Sequence, residues 1–348
     1  MADATLLVDT SFLGDVLCAE PAARVAAEKF GGDVDFLTSP GGGQMLRNHP
    51  QIREVMVYDK RKDDKGLFGM LRMAKRLRHK NYTRVICSHR SWRTALLLKL
   101  AKIPTRIAFD NAAAKWMYTE LIEYRKDLHE IERNLQLLGG GEWMRPQLHP
   151  SEDEITKAAQ LIGGLDKFIA IAPGSIWATK RWPEQYFAGV AATALRHGLA
   201  VLLLGGPDDR MLNNRIYTSA KAQGFNSKAP ILDLSGKTNL RESYAVIKQA
   251  AVVVSNDSAP MHMAVAADVP VVAVFCSTVP AFGFAPRGEN DVVLEIEENL
   301  DCRPCGMHGH PRCPEGHFHC GTLVTVESVM DEVWKRLPDF EHQQTIQV

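Results

Sequence analysis

The alternation of short apolar runs with longer amphipathic stretches constrains this chain more than any other feature. Runs such as Leu6–Val8 and Arg84–Ser88 are predicted as strands, whereas 67–80 repeats apolar residues at three- and four-residue spacing, as an amphipathic helix does. Strands separated by helices favour a parallel sheet. The same pattern starts again after Gly139-Gly140-Gly141, with strands at 167–172 and 199–204. The sequence therefore predicts an α/β protein made of two doubly wound halves.

The length supports two domains, because 348 residues exceed what one hydrophobic core usually serves, about 100–200 residues. We place the first domain at 1–160 and the second at 161–348. The last helix, Val326 to Leu337, is expected to pack on either half, the N-terminal one included. An active site at the interface of two such domains is plausible.

Composition excludes several classes of protein. The 41 Lys and Arg residues balance 41 Asp and Glu residues, so a uniformly basic nucleic-acid-binding protein is excluded. The start of the chain lacks a basic flank followed by a long apolar run, and the longest apolar stretches fall far short of a membrane-spanning helix. We therefore expect a cytoplasmic globular protein.

The loops after the predicted strands are where ligands bind in open parallel sheets. Neither GxGxxG nor GxxxxGK[ST] occurs in them, which argues against a dinucleotide site and a P-loop. The loop Ser255–His262 places Pro260 in the first turn of a predicted helix, where free N–H groups would suit a phosphate. Alternatively, Asp257 or Ser258 merely caps that helix.

Three separated stretches of the chain together carry a resemblance. They are Ser11-Phe12-Leu13-Gly14-Asp15-Val16, Pro173-Gly174-Ser175 through Lys180-Arg181-Trp182-Pro183, and Leu234-Ser235-Gly236-Lys237-Thr238 through Ser255-Asn256-Asp257-Ser258-Ala259-Pro260-Met261-His262. Together they resemble glycosyltransferase family 9, the bacterial ADP-heptose:lipopolysaccharide heptosyltransferases, with the heptosyltransferase II branch the most similar. The resemblance implies a GT-B fold, in which two Rossmann-like domains face across a cleft, an N-terminal one for the acceptor and a C-terminal one for the sugar nucleotide. It further implies inverting transfer of a heptose from ADP-heptose to the inner core of lipopolysaccharide.

Roles for single residues follow from the same resemblance. Asp15 matches the general base that takes the proton of the acceptor hydroxyl; without the resemblance it is simply an acid in a first helical turn. Lys180 matches a lysine that faces the phosphates of the donor. His262 is either a donor contact or a packed core histidine. The remaining residues implied to bind the donor are Gly14, Ser175, Asp257, Ser258, Ala259 and, for the ribose, Asp208 or its neighbour Asp209.

Two details bear on the donor site. Ala259 stands where the family usually has glycine, which matters only if the backbone φ there is positive. The loops contain no Asp-x-Asp pair, and a lysine with a helix N-terminus can stabilise departing ADP. We therefore expect catalysis without a metal ion or another cofactor.

Cysteine spacing raises a separate hypothesis. Cys302, Cys305, Cys313 and Cys320, interleaved with four histidines, have spacing typical of a zinc site. Much of this segment also follows the pattern of the family, where it would be a structural loop with free thiols or a labile bridge. Both interpretations stay open, and a zinc-bearing scaffold is one alternative function; the other is a sugar-nucleotide epimerase of the same architecture.

A basic run extends from Lys60 to Arg84, with ten basic and two acidic residues. Such a run is usually a solvated helix face. Its other interpretation is a surface for anionic lipid and for a phosphorylated glycolipid acceptor, in which Lys60, Lys62 and Arg93 meet acceptor charges. On that interpretation the protein is peripheral at the inner face of the inner membrane, and nucleic acid is not a partner.

Overall fold

The computed structural model describes residues 4–31, 33–224 and 227–338. The chain folds into two compact units, Met1–His149 and Pro150–Val348. This boundary corrects the predicted one at 160, because the helix Glu152–Ile162 belongs to the second unit. Glu154 on that helix forms a buried ion pair with Arg241 at 2.5 Å, which ties the helix to the second unit.

The first unit is a six-stranded sheet, all of whose neighbouring strands run parallel. Its strand order is β3-β2-β1-β4-β5-β6. The elements are β1 (Thr5–Asp9), α1 (Leu13–Phe30), β2 (Val34–Thr38), α2 (Pro40–Met45), β3 (Glu54–Val57), α3 (Gly66–His79), β4 (Arg84–Cys87), α4 (Trp92–Leu100), β5 (Thr105–Phe109), β6 (Glu120–Ile122) and α5 (Glu130–Gln136).

The second unit repeats this plan, with the strand order β12-β11-β10-β7-β8-β9. When β7 is counted as the first strand of this unit, the order read from the β9 edge is the same as that of the first unit read from the β3 edge. Its elements are α6 (Glu152–Ile162), β7 (Phe168–Ala172), α7 (Glu184–Arg196), β8 (Ala200–Leu203), α8 (Arg210–Gln223), β9 (Ile231–Asp233), α9 (Leu240–Ile247), β10 (Val252–Asn256), α10 (Ala259–Ala267), β11 (Val271–Phe275), β12 (Val292–Glu295), α11 (His319–Thr322) and α12 (Val326–Lys335).

Each sheet reverses its strand order at one point, between β1 and β4 in the first unit and between β7 and β10 in the second. The parallel register pairs Val8 with Cys87 and Ala172 with Ser255. The residues that follow these strands therefore emerge side by side at one edge of each sheet. A crevice at such a reversal is where doubly wound sheets bind ligands.

Buried aliphatic and aromatic side chains fill both units, and the last helix belongs to the core of the second. Val329, Val333 and Trp334 of α12 are buried there with Ile171 and Phe187. Packing of this helix on the N-terminal half, which the sequence left open, is therefore not what the structure has. Within the described residues, no helix combines the length and the apolar composition needed to cross a bilayer.

Candidate active site

The reversal point of the first unit gathers polar side chains at the end of β1. Asp9 is buried, and its carboxylate accepts the Ser11 N–H at 2.8 Å and the Ser88 hydroxyl at 2.6 Å. Ser88 directly follows β4, the neighbour of β1, so the two strand ends place a buried negative charge beneath the start of α1.

Asp15 lies in the first turn of α1, next to Gly14, and is partly exposed. Burial of the carboxyl group, followed by the negative charges of Asp9 and Glu130, raises the pKa of Asp15 to about 8. Hydrogen bonds from the N–H groups of Phe12 and of Asp15 itself act in the opposite direction and are outweighed. A carboxylate with this pKa is a competent proton acceptor near neutral pH.

Lys60 reaches the same strand end. Its Nζ donates to the Thr10 hydroxyl at 2.7 Å, and the Thr10 oxygen lies 2.9 Å from Nδ1 of His89. Burial lowers the pKa of Lys60 and lowers that of His89 to about 4. His89 is therefore neutral at physiological pH, and its Nδ1 also lies 2.8 Å from the Thr94 hydroxyl oxygen.

The structure separates the other two residues predicted to meet the acceptor. Arg93, in the first turn of α4, is close enough for its charge to act on the pKa of Lys60, which places it in the same group. Lys62 instead lies on the exposed loop after β3, where its N–H donates to the Asp59 carboxylate at 3.0 Å.

The reversal point of the second unit carries an ion pair. Lys180, at the end of a 3₁₀ turn, places Nζ 2.6 Å from Oδ2 of Asp257, which follows β10. The same carboxylate oxygen accepts the hydroxyl of buried Thr278 at 2.7 Å. Both charged side chains are largely buried, so the pair is little screened by solvent.

Helix α10 starts beside this pair with Ser258 at the N-cap and Pro260 in the first turn. In the described structure no side chain caps its first N–H groups, and Asp257 is held by Lys180 and Thr278 instead. Ser258 therefore holds the N-cap position without a capping side-chain hydrogen bond, and Asp257 does not cap the helix. Ala259 is the first residue of the helix and has no positive φ, so alanine is accommodated where the family usually has glycine.

His262, one turn further along α10, is both packed and close to the ion pair. It is buried, and its ring meets that of Phe284 edge to face with centroids 6.3 Å apart. Burial lowers the pKa of His262 to about 4, and the charges of Asp257 and Lys180 also act on it. A neutral imidazole therefore forms part of the wall behind the ion pair.

The neighbouring loops distinguish Asp208 from Asp209. Asp209 accepts the Gly206 N–H at 2.8 Å and fills the space beside Gly174, where an added Cβ would lie 2.5 Å from its Oδ1. Asp208 is exposed. The Ser175 carbonyl accepts from Nε of Arg181 at 2.6 Å, which holds the loop after β7.

Several residues at these sites escaped the sequence analysis. Buried Asn256 accepts the Trp182 N–H and donates to the Pro173 carbonyl, both at 2.8 Å, and so joins the loops after β7 and β10. Asn256 and Asp9 each end a strand, a signal that could have identified them. Thr278 and Arg303 give no such signal, because their partners are distant in sequence.

The cysteine segment holds free thiols in this structure. Among the residues that the structure describes, no three His, Cys, Asp or Glu side chains are grouped so that they could hold a metal ion.

Comparison with known proteins assigns the family. The model of glycosyltransferase family 9 (heptosyltransferase) matches residues 70–310. The chain belongs to glycosyltransferase family 9. It is 24% identical to lipopolysaccharide heptosyltransferase 2 of Salmonella typhimurium over 294 residues, which cover 80% of this chain and 84% of that protein.

Solved structures assign the fold. The ADP-heptose lipopolysaccharide heptosyltransferase II of E. coli superposes with a TM-score of 0.79 and 21% identity, covering 97% of this chain and 99% of the other. The E. coli heptosyltransferase WaaC with ADP gives a TM-score of 0.70 at 21% identity, covering 96% and 99%. This family 9 glycosyltransferase therefore has the GT-B fold, as the sequence resemblance implied, and its two six-stranded parallel sheets are the Rossmann-like domains of that fold.

Proposed function

We propose that this family 9 enzyme transfers a heptose from ADP-heptose to the inner core of a lipopolysaccharide, with inversion at the anomeric carbon. The observation that carries the proposal is Asp15, a carboxyl group whose pKa is raised to about 8 at the strand-order reversal of the first unit. The names of its relatives, lipopolysaccharide heptosyltransferases, supply the donor and acceptor.

The reaction needs one proton acceptor and one stabilised leaving group. The acceptor hydroxyl oxygen forms a bond to the anomeric carbon of the heptose while its proton passes to the Asp15 carboxylate. The bond from that carbon to the phosphate oxygen breaks, and its electron pair leaves with ADP. The acid that Asp15 becomes is a stable species near neutral pH, which favours the transfer.

The second unit is the proposed donor-binding domain. Lys180 and the N-terminus of α10, which no side chain caps, face the diphosphate and stabilise the charge that develops on ADP. Asp257 and His262 contact the donor sugar. Asp208, the exposed acid of its pair, is the proposed partner of the ribose.

The first unit is the proposed acceptor-binding domain. Lys60 and Arg93 are the cations near Asp15 that suit the anionic groups of an inner-core glycolipid. Lys62, on its exposed loop, is proposed to meet the acceptor or lipid at the surface.

The start of α3 is the proposed membrane contact of the enzyme, which then works at the cytoplasmic face of the inner membrane. Its apolar side chains Leu67, Phe68 and Leu71 are 60%, 87% and 44% exposed. The charges next to them are exposed as well: Arg61, Lys62, Lys65 and Lys75. Exposed apolar side chains beside cations suit an interface of anionic lipids.

The function is tested by offering the purified protein a panel of sugar nucleotides with a truncated core glycolipid and measuring nucleotide release. Turnover of ADP-heptose well above that of other sugar nucleotides is expected. Equal turnover of UDP-sugars, or release of ADP without acceptor dependence, would contradict the proposed donor and reaction.

Membrane contact is tested separately by co-sedimentation with anionic phospholipid vesicles. Replacing Arg61, Lys62 and Lys65 by Gln should weaken binding by about 1 kcal/mol per charge at low salt, while ADP affinity stays unchanged. The matched control replaces three exposed lysines of the second unit, Lys221, Lys228 and Lys248. Equal losses of vesicle binding in both variants would mean that the basic run from Lys60 to Arg84 is only a solvated surface.

A further inference from the structure

The segment from Arg303 to His310, called here the 303–310 segment, contacts the 3₁₀ turn that carries Lys180 and the turn after β11 that holds Asp257. It follows Cys302 and contains Cys305, residues that the sequence singled out for a metal or a structural loop. Neither a metal site nor a structural loop accounts for the position of this segment beside the Lys180–Asp257 pair.

One end of the segment holds the turn that follows β11. Arg303 donates from Nε to the Cys276 carbonyl at 2.7 Å and from Nη2 to the carbonyls of Thr278 at 2.7 Å and Phe275 at 3.2 Å. The Cys305 N–H donates to the Ser277 carbonyl at 2.9 Å. Four successive carbonyls of a buried turn thus accept hydrogen bonds from this one segment.

That turn fixes Asp257, because the Thr278 hydroxyl donates to the carboxylate oxygen that also pairs with Lys180. Arg303 is itself buried except for a small fraction, and its charge is balanced by Glu295 at 2.5 Å. A guanidinium with several backbone acceptors and one carboxylate has a defined orientation, and the turn it holds inherits that orientation.

The other end holds the 3₁₀ turn of Lys180. The His310 N–H donates to the Thr179 hydroxyl at 2.7 Å, and the Thr179 N–H donates to the His310 carbonyl at 3.1 Å. Gly309, which precedes His310, has a φ of +79°. A Cβ added to it would lie 2.7 Å from Thr179 Oγ1 and 3.3 Å from Lys180 Cγ. Glycine is therefore required by both the backbone angle and the space.

We propose that the 303–310 segment is a positioning element of the transfer site, which sets Asp257 through Thr278 and Lys180 through Thr179. The inference rests on the proposed function, since it takes the ion pair to be part of the donor site. The segment touches neither reacting atom in this scheme. It holds the two charges in the geometry that the donor diphosphate and sugar meet, as supporting residues do for a preorganised site.

The test compares variants at the Arg303 end in steady-state assays with ADP-heptose. Arg303→Ala should lower kcat/KM for the donor by about 10- to 100-fold, with the KM of the glycolipid unchanged, and added guanidinium should restore much of the loss. Thr278→Val should lower the same constant about tenfold, and Thr278→Ser should restore it. The matched control is Arg336→Met, which removes another largely buried arginine that holds a backbone carbonyl of the second unit and should lower only the melting temperature.

Glycines offer a second matched pair for the Lys180 end. Gly309→Ala and Gly316→Ala impose the same backbone strain, at φ +79° and +77°, but an added Cβ meets no atom within 4 Å at Gly316. Only Gly309→Ala should lower donor kcat/KM.

Two results would overturn the inference. The first is full donor kcat/KM in both Thr278→Val and Arg303→Ala. The second is a loss of kcat/KM that neither Thr278→Ser nor added guanidinium restores and that follows the melting temperature, as expected for Arg336→Met. Calorimetry with ADP distinguishes a failure of this inference from a failure of the proposed function. A parent that binds ADP without transferring heptose would contradict that function, and equal ADP affinity of the parent and these variants would then overturn the inference as well.

Discussion

The two units share one strand order and each carries an aspartate at its reversal point, yet the two aspartates have opposite surroundings. Asp15 is partly exposed, but burial of its carboxyl group and the negative charges of Asp9 and Glu130 raise its pKa to about 8. Asp257 faces Lys180 at 2.6 Å and receives the Thr278 hydroxyl. The corresponding crevices thus hold a carboxyl group of raised pKa in one unit and an ion pair in the other.

The difference shows that topology selects where a ligand binds and that neighbouring charges select the chemistry. A carboxylate among negative charges holds a proton more tightly, so it can take one from a hydroxyl. A carboxylate paired with a lysine at hydrogen-bond distance orients that lysine. The predictions below test each half of this contrast, from the largest effect to the smallest.

Asp15→Asn should abolish most turnover and leave donor binding intact. An amide cannot accept the acceptor proton, and a positioned base typically contributes 10²–10⁴-fold to rate. The measurements are the initial rate of ADP release at saturating acceptor and ADP-heptose affinity by calorimetry. The control is Asp63→Asn, an exposed acid of the same unit. Near-parental turnover by Asp15→Asn would contradict the assignment of Asp15 as the base. A loss of donor affinity in this variant would contradict the separate roles of the two units in acceptor and donor binding.

The pH profile should carry the signature of the same residue. Because the base form of Asp15 is populated only above its pKa, kcat/KM should rise about tenfold per pH unit from pH 6 and level off near pH 8. His89 and His262, with pKa values lowered to about 4, should add no inflection in that range. A kcat/KM profile already flat at pH 6 would show that Asp15 is ionised in the free enzyme and would contradict its raised pKa.

Lys180→Ala should reduce donor kcat/KM about 10- to 100-fold, since losing a charged hydrogen bond costs about 1.5–3 kcal/mol. The effect is expected to be smaller than that of Asp15→Asn because the N–H groups of α10 still face the diphosphate. Lys228→Ala, at an exposed lysine of the same unit, is the control. Unchanged use of ADP-heptose by Lys180→Ala would show that the pair is only structural.

The fold was predictable where its pattern is local. Apolar runs such as Leu6–Val8 and 199–204 identify central strands, because burial on both faces demands continuous apolar residues. The edge strand β6 is mostly exposed and its sequence lacks that signal, whereas β12 was missed although it contains the apolar run Val292-Val293-Leu294. Helix α6 was missed and the domain boundary misplaced with it, although Ser151 and Glu154 form a capping box that marks its start.

The site was predictable only through resemblance. Asp15, Lys180 and Asp257 came from motifs, and the structure brings the last two together. Their partners could not be found in the same way: Thr278 lies 21 residues from Asp257 in sequence, and the bond between them exists only after β10 and β11 pair. The raised pKa of Asp15 likewise depends on Glu130, which the fold brings near from α5.

The smallest predicted effect is on stability. Because the pKa of Asp15 is raised from 3.8 to about 8, the folded protein keeps a proton between these values that the unfolded chain has released. Unfolding therefore releases a proton across this window, so the free energy of unfolding falls as pH rises from about 4 to about 8. Asp15→Asn removes this term: it should match the parent near pH 4 and exceed its unfolding free energy above pH 8 by at least about 1 kcal/mol, because one pKa unit is worth about 1.4 kcal/mol. Urea unfolding at pH 5 and pH 9, with Asp63→Asn as the control, measures the difference. If Asp15→Asn loses turnover and gains stability, the first unit loses stability by keeping its base, as functional sites often do. If Asp15→Asn is instead less stable than the parent at pH 9, Asp15 is an acid that stabilises the start of its helix.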